Sequence, residues 1–287
     1  DEYYYDDYYG GLIYGFSYGG LGGTLYGNYQ PPYPYGGTYT GGGSPFRGDY
    51  IASGTASSGS LEGVVTWPRP PASPRDLALG AHRGDCPLRV ANTTIAVDAG
   101  GHVANAVVYL SDIRSGKALP QFQRTLQLGG ELERHDCALR PQLQLVAPMN
   151  SALHLSNADD VKARFEATRG ADDASHEPGF RAELSRGATR VVMTGADGFL
   201  RVADDSSGGL PAWIVVQGHP YFTVTDDRGD FRLDEIPAGT YELVVWQQPV
   251  AIGQGEGGRI DYSPAVVQRS KITIKSGQTQ RVTVKLP

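Results

Sequence analysis

The chain has 287 residues and a mass of 30.7 kDa, room for one large domain or two ordinary ones with a sizeable core. With 25 Lys and Arg against 31 Asp and Glu its formal charge is -6, which argues against a nucleic-acid-binding face. No apolar run approaches the roughly 18 residues that suggest a membrane span.

Residues 1–50 hold 13 of the 17 tyrosines and 14 of the 39 glycines. Asp1, Glu2, Asp6 and Asp7 stand there without a basic residue before Arg47. Glycine makes ordering expensive, and Leu12, Ile13, Leu21 and Leu25 are too few to build a core. Residues 1–58 are therefore read as a Gly/Tyr-rich low-complexity arm and linker. Its contact residues for protein partners in a larger assembly are Tyr3, Tyr4, Tyr5, Tyr8, Tyr9, Tyr14, Tyr18, Tyr26, Tyr29, Tyr33, Tyr35 and Tyr39. A passive tail is the bland alternative. A start at Asp1 without methionine fits a removed export signal, and trimming fits it equally.

Beyond the linker the pattern is β. Leu61–Trp67, Val103–Leu110, Gln142–Ala147, Ala152–Ser156, Thr189–Met193 and Trp213–Val216 read as strands. So do Tyr221–Thr225, Phe231–Leu233, Tyr241–Trp246, Lys271–Ile274 and Arg281–Leu286. Lys162–Arg169 is read as a turn or two of helix. Alternation is clearest near the end: Phe231 and Leu233 share a face, as do Tyr241, Leu243 and Val245, and Arg281, Thr283 and Lys285 alternate with Val282, Val284 and Leu286. Gly229 suits a positive φ in the turn Asp226–Asp230. Trp67, Trp213 and Trp246 are expected as core or interface anchors. Two cysteines, Cys86 and Cys137, form an even pair in a chain read as exported, which predicts one disulfide.

The stretch His219–Leu233, continuing through Ile236-Pro237-Ala238-Gly239-Thr240-Tyr241, resembles the carboxypeptidase regulatory-like domain, a small transthyretin-like sandwich. Gly63-Val64-Val65 and Val103–Leu110 resemble its first strands, and Ile272–Leu286, with Ser276-Gly277-Gln278, its last. Roughly Cys137 to Val216, opening with Cys137-Ala138-Leu139-Arg140-Pro141, resembles a cupredoxin-like sandwich. The resemblance implies an all-β chain of antiparallel β-sandwiches, transthyretin-like plus cupredoxin-like, behind an extended arm. It divides the chain into 59–136, first regulatory-like strands; 137–218, a cupredoxin-like part; and 219–287, last regulatory-like strands.

Copper-binding relatives of that kind hold a histidine after an Asn-Ser-Asp-like turn, and Asn150-Ser151-Ala152-Leu153-His154 is the nearest match here. Their later Cys, His and Met fall by offset near Asp204, Ser207 and Leu210, none of which belongs to a soft copper set. His154 and His176 have no thiolate nearby in sequence. The expectation is a scaffold with no metal and no cofactor.

The doublets Asp159-Asp160, Asp172-Asp173, Asp204-Asp205 and Asp226-Asp227 lack EF-hand spacing and are read as solvated turns. Arg228-Gly229-Asp230 has a complete turn explanation, and Asn92-Thr93-Thr94 is read as a chance sequon. Gly-x-Ser-x-Gly occurs once, as Gly15-Phe16-Ser17-Tyr18-Gly19 within the Gly/Tyr-rich arm and outside any strand-to-helix pattern, and His-Glu-x-x-His is absent from the sequence. His219 is read as a structural histidine bonded to backbone. The function expected is a non-enzymatic structural or accessory subunit of a bacterial envelope or extracellular assembly, secreted, periplasmic or on the outer surface, with no catalytic residue. A carbohydrate- or peptide-binding module, with glycan or cell-wall contact, is the first rival, and an electron-transfer cupredoxin the second.

Overall fold

The computed structural model describes residues 50–78, 86–111, 113–118, 130–171, 177–204, 209–255 and 259–287. The twelve tyrosines expected to bind partners lie outside the described residues. The chain enters through β1 (Ile51–Ala52) and β2 (Ser58–Thr66), continues through β3 (Asp76–Ala78) and β4 (Arg89–Ala91), and reaches β5 (Val107–Leu110) and β6 (Ser115–Gly116). A middle block follows: β7 (Gly130–His135), β8 (Ala138–Arg140), β9 (Leu143–Val146), β10 (Ala152–Asn157), β11 (Ala163–Arg169), β12 (Glu177–Leu184), β13 (Thr189–Met193), β14 (Gly198–Asp204) and β15 (Ala212–Val216). The return comprises β16 (Phe222–Val224), β17 (Asp230–Pro237), β18 (Gly239–Gln247), β19 (Ala251–Gln254), β20 (Ile260–Tyr262), β21 (Val266–Ile274) and β22 (Thr279–Lys285).

The strands build two sandwiches. In the first, the sheet β17-β2-β22 faces the sheet β16-β5-β18-β21. Leu61, Val65, Phe231, Leu233 and Val284 meet Val108, Leu110, Leu243, Val245 and Ile272 between them. In the second, β13-β10-β7-β8 faces β12-β11-β14-β15-β9, around Leu132, Leu153, Leu155, Phe165, Leu200, Val202 and Ile214. Most pairs are antiparallel; β1 with β6, β2 with β22, β7 with β10 and β9 with β15 are parallel, each reached through an intervening crossover.

Period-two alternation explains the half-wet strands. Phe231 and Leu233 are buried and Arg232 between them is exposed, and Tyr241, Leu243 and Val245 share the first core. β5, β15 and the second half of β18 instead read as unbroken apolar runs and are buried on both faces. Their second faces meet each other. Val107, Tyr109, Phe222, Val244 and Trp246 from one sandwich pack on Phe199, Trp213 and Val215 of the other. Trp246 stands 4.5 Å from Phe199 and 5.2 Å from Trp213, centroid to centroid, and its indole N–H donates to Ala171 O at 2.9 Å. Trp67 lies in the first core, so all three tryptophans are anchors.

Residues 163–169 correct the sequence reading. They form β11, not helix: Ala163, Phe165 and Ala167 point inward at period two, and Arg164 is exposed. Asn105, at φ 61°, interrupts the expected strand Val103–Leu110, which begins at Val107. Strands β1, β3, β4, β6, β7, β8, β12, β14, β19 and β20 are additions to the sequence reading.

The Cys86–Cys137 disulfide is formed, with S–S 2.03 Å. Cys137 sits in the two-residue turn between β7 and β8, where Asp136 and Cys137 both take positive φ, 52° and 60°. That is the type I′ pattern, whose twist matches a right-handed hairpin. Neither residue is glycine, so the turn costs backbone energy. Asp159 offsets it by accepting the N–H groups of Asp136 and Cys137, each at 2.8 Å.

The bond spans a sequence separation of 51. Replacing both cysteines by serine should cost about 2–5 kcal/mol in urea unfolding, with an unchanged far-ultraviolet spectrum. A loss below about 0.5 kcal/mol would show that the bond restrains nothing in the unfolded chain.

Candidate functional site

The best-defined site is the root of the arm. Tyr50 is half-buried, and its hydroxyl donates to Lys117 O at 2.6 Å. Its ring lies 6.4 Å from that of Tyr221 and 6.2 Å from His219. The Tyr221 hydroxyl accepts the Lys117 N–H at 2.8 Å and donates to Glu235 O at 2.9 Å. Lys117 Nζ donates to Asp234 O at 2.8 Å and stands 5.3 Å from the Tyr221 ring centroid. The backbone continues the grip, Ile51 N–H donating to Arg114 O at 2.8 Å and Ser53 N–H to Gly116 O at 2.6 Å. Gly116 is required here, since a Cβ on it would lie 2.2 Å from the Tyr221 hydroxyl oxygen. Burial raises the pKa of the Tyr50 and Tyr221 phenols. Burial also lowers that of Lys117, against the pull of Glu235 and Asp234. These contacts fix residues 50–53 to the body.

His219 closes the floor of that root. It is buried, and its Nδ1 accepts the Tyr221 N–H at 3.2 Å, so the backbone-bonded histidine expected from sequence is present. Burial pushes its imidazole down to about 4.

A second feature is a groove of about 780 Å³ over the outer face of β17-β2-β22 and along β16. A ladder of charges crosses it. Asp234 accepts from Arg232 Nε at 2.9 Å, Arg232 reaches Glu62, and Arg281 Nε lies 3.3 Å from the second Glu62 oxygen. Asp230, Asp226 and Thr223 extend the polar wall. Hydrogen bonding from Arg232 holds the Asp234 carboxyl below its usual range. Such a floor can hydrogen-bond hydroxyls and carboxylates, and Phe231 is the one aromatic residue among those that line it.

At the end of the second sandwich Arg134 is wholly buried. Its Nε donates to Asp204 at 2.6 Å, Nη1 lies 3.0 Å from Asp159 and donates to Val161 O at 3.0 Å, and Nη2 approaches Cys86 Sγ at 3.5 Å. The second Asp204 oxygen accepts the Arg164 N–H at 3.0 Å. Asp204 and Asp159 are thus not the solvated turn residues expected; a buried cation holds both carboxylates. The sequence reading missed Arg134, although Gly130, Leu132 and Arg134 fall at one period-two phase and mark it as inward.

Asp204, reached by offset in the sequence reading, is the carboxylate held by Arg134. His154 lies on β10 on the face opposite Leu153 and Leu155, turned from the core into which Asp204 points. Leu210 packs with Leu77, Ala251 and Ile260. Ser207, His176 and Asp172-Asp173 lie outside the described residues. No group of three His, Cys, Asp or Glu side chains converges among the described residues. In the Arg228-Gly229-Asp230 turn Gly229 takes φ 74° and Asp226 caps the N–H groups of Arg228 and Asp230, each at 2.9 Å. Asn92 of the sequon donates to Ser73 Oγ, Pro74 O and Ala251 O, so its amide is engaged in the fold. No helix of the described residues is long and apolar enough to cross a membrane.

Residues 185–282 match the family model of polysaccharide lyase family 4, domain II. No curated protein sequence matches the chain. Among solved structures it is similar over 31% of its length to the copper-containing nitrite reductase of Thermus scotoductus, at 15% identity and TM-score 0.26; the chain spans 22% of that enzyme. It is similar, also over 31% of its length, to a purple cupredoxin from Nitrosopumilus maritimus, covering 99% of that chain at 10% identity and TM-score 0.27. A protein of Pseudomonas aeruginosa described as a candidate carbohydrate binding protein is matched over 80% of this chain and 88% of its own, at 10% identity and TM-score 0.25. These TM-scores are too low to carry a functional argument.

Two outcomes follow from the buried groups. Arg134→Met should destabilise by about 3–5 kcal/mol in urea unfolding, because Asp204 and Asp159 lose their counter-charge, and adding Asp204→Leu should recover part of the loss. His219 has a folded pKa of about 4 against 6.5 unfolded. Its stabilising effect is therefore complete above pH 6.5 and is lost as pH falls to about 4, where the unfolded chain alone binds the proton. Relative to His219→Gln, the wild type should lose about 3 kcal/mol over that window. Parallel pH profiles of melting for the two proteins would contradict this.

Proposed function

We propose that this chain is a non-enzymatic structural subunit of an exported assembly, whose rigid double sandwich sets spacing and whose Gly/Tyr arm binds neighbouring subunits. The observation that carries this reading is the root of the arm. Tyr50, β1 and the Lys117–Tyr221 lock tie the arm to the body at a fixed point, so a contact made by the arm positions the body as well. A tail without a task needs no such attachment. The disulfide fits an oxidising compartment. The regulatory-like reading of the first sandwich, and the boundaries 59–136, 137–218 and 219–287, belong to the same proposal.

A second reading is glycan binding in the groove. It is favoured by one observation: the lyase-domain match spans Thr223, Asp226, Asp230, Arg232 and Arg281, which line the groove. Binding of polysaccharides to the full chain, weakened tenfold or more by Arg281→Ala, would support it.

The test of the first reading is removal of residues 1–49. The shortened chain should keep the melting behaviour and far-ultraviolet spectrum of the body and fail to enter assemblies formed by the full chain. In the full chain, amide exchange over residues 1–46 should slow at least tenfold on assembly. Normal assembly of the shortened chain would overturn the proposal.

A further inference from the structure

β21 is the outermost strand of its sheet, and among the described residues β18 is its one strand partner. It runs nine residues in unbroken register with β18, without proline or bulge. Edges of this kind present a row of N–H and C=O groups to any strand that approaches, and proteins usually blunt them. Two other edges of the first sandwich are blunted, β16 with three residues and β17 with a register shift between Leu233 and Ile236, and β22, seven residues in register with β2, is a shorter open edge. On β21, Val267 is 43% exposed and shares its face with Arg269 and Lys271.

Charge separates the two ends of the chain. Residues 262–287 carry Arg269, Lys271, Lys275, Arg281 and Lys285 and no acidic residue. Arg269 and Arg281 are engaged with Glu242 and Glu62, while Lys271, Lys275 and Lys285 extend into solvent. Residues 1–9, Asp-Glu-Tyr-Tyr-Tyr-Asp-Asp-Tyr-Tyr, carry four acids and no base. They are also the longest run before residue 50 without glycine or proline, and tyrosine favours extended strands.

We propose that β21 is the acceptor edge for residues 1–9 of a second copy of this chain, which add to it as a strand. The inference rests on the reading that the arm binds neighbours and names where it binds. Backbone hydrogen bonds would supply the affinity, tyrosines would cover Val267, and the acids would face Lys271 and Lys275. The basic edge repels a second β21 and accepts an acidic strand, so edge-to-edge pairing of like strands is disfavoured while arm-to-edge pairing is not. The arm leaves beside His219 and Tyr221, which lead into β16, whereas β21 lies at the opposite edge of that sheet. Donor and acceptor on opposite edges give a head-to-tail contact, which repeats from copy to copy. Residues 10–49 are a tether of about 35 Å root-mean-square span if they behave as a glycine-rich coil.

The test uses the full chain and two charge-reversed forms. One carries Lys271→Glu and Lys275→Glu; the other carries Asp1→Lys, Glu2→Lys, Asp6→Lys and Asp7→Lys. Sedimentation velocity should show concentration-dependent self-association of the wild type, weakened tenfold or more in each variant alone. An equimolar mixture of the two should restore it, because each acidic edge then meets a basic arm. Amides of β21 should gain protection from exchange only as concentration rises. Protection of β21 that is independent of concentration, in a monomer, would mean that each chain folds its own arm onto its edge, and would overturn the proposal. Wild-type association that neither variant weakens would refute β21 as the acceptor and leave the assembly reading standing. A wild type that stays monomeric with β21 unprotected would sink both.

Discussion

β5, β15 and β18 carry apolar side chains on both faces, and the architecture depends on that double burial. A strand of a lone sandwich can hide one face and must wet the other. Val108 and Leu110 are hidden by the first core, which leaves Val107 and Tyr109 to be covered by something else. Val244 and Trp246 on β18, and Trp213 and Val215 on β15, have the same need. Exposing such side chains forfeits roughly 1.5–3 kcal/mol each. The two sandwiches therefore exclude water from each other, and the four sheets stack as one body. Trp246 shows how complete the fit is: its one polar atom is satisfied by a carbonyl of the other sandwich. A stack held through three apolar layers resists bending, a property that the proposed spacing role requires.

The end of the second sandwich solves a different problem with charge. A buried carboxylate needs a counter-ion, and here the protein supplies its own. Arg134, on a strand of one sheet, reaches Asp204 on a strand of the facing sheet, and its remaining donors go to Asp159 and Val161 O. Asp159 in turn caps the strained turn that carries Cys137, and the disulfide connects that turn to the segment before β4. One guanidinium thus couples sheet-to-sheet packing, a hairpin turn and a covalent tie. The side-chain cation beside Asp204 and the Arg164 N–H leave that carboxylate already satisfied.

Legibility in the sequence follows from the same physics. The last strands were readable because each has one wet face: Arg232 between Phe231 and Leu233 announces a strand without help from its neighbours. Residues 163–169 were misread because Ala163 and Ala167 are small and favour helix intrinsically, and only packing against the second core makes their period-two spacing decisive. Arg134 sat in plain view at an inward phase, but an arginine in a run of Glu, Arg and His suggests a solvated face. Its partners, Asp159 and Asp204, lie 25 and 70 residues away in sequence, and register between distant strands is not written locally. The charge ladder of the groove was hidden for that reason as well, since Glu62, Arg232 and Arg281 meet only when β2, β17 and β22 pair. The disulfide needed no register, because two cysteines allow one pairing.

The uneven charge of the chain gains a physical meaning once the edges are considered. A net charge of -6 keeps copies apart in solution, yet the last two long strands are basic and residues 1–9 are acidic. Uniform charge would repel all approaches alike. Opposite charge on two separated elements makes one approach favourable and leaves the rest repulsive, which selects an orientation before any contact forms. That selection falls off beyond a Debye length, about 8 Å at physiological salt, so in the proposed contact it acts only once the two elements are near each other. In the proposed assembly the glycine-rich stretch and the acidic stretch have separate tasks, reach and recognition. The root at Tyr50 sets the point on the stacked body from which, in the proposed assembly, that reach is measured.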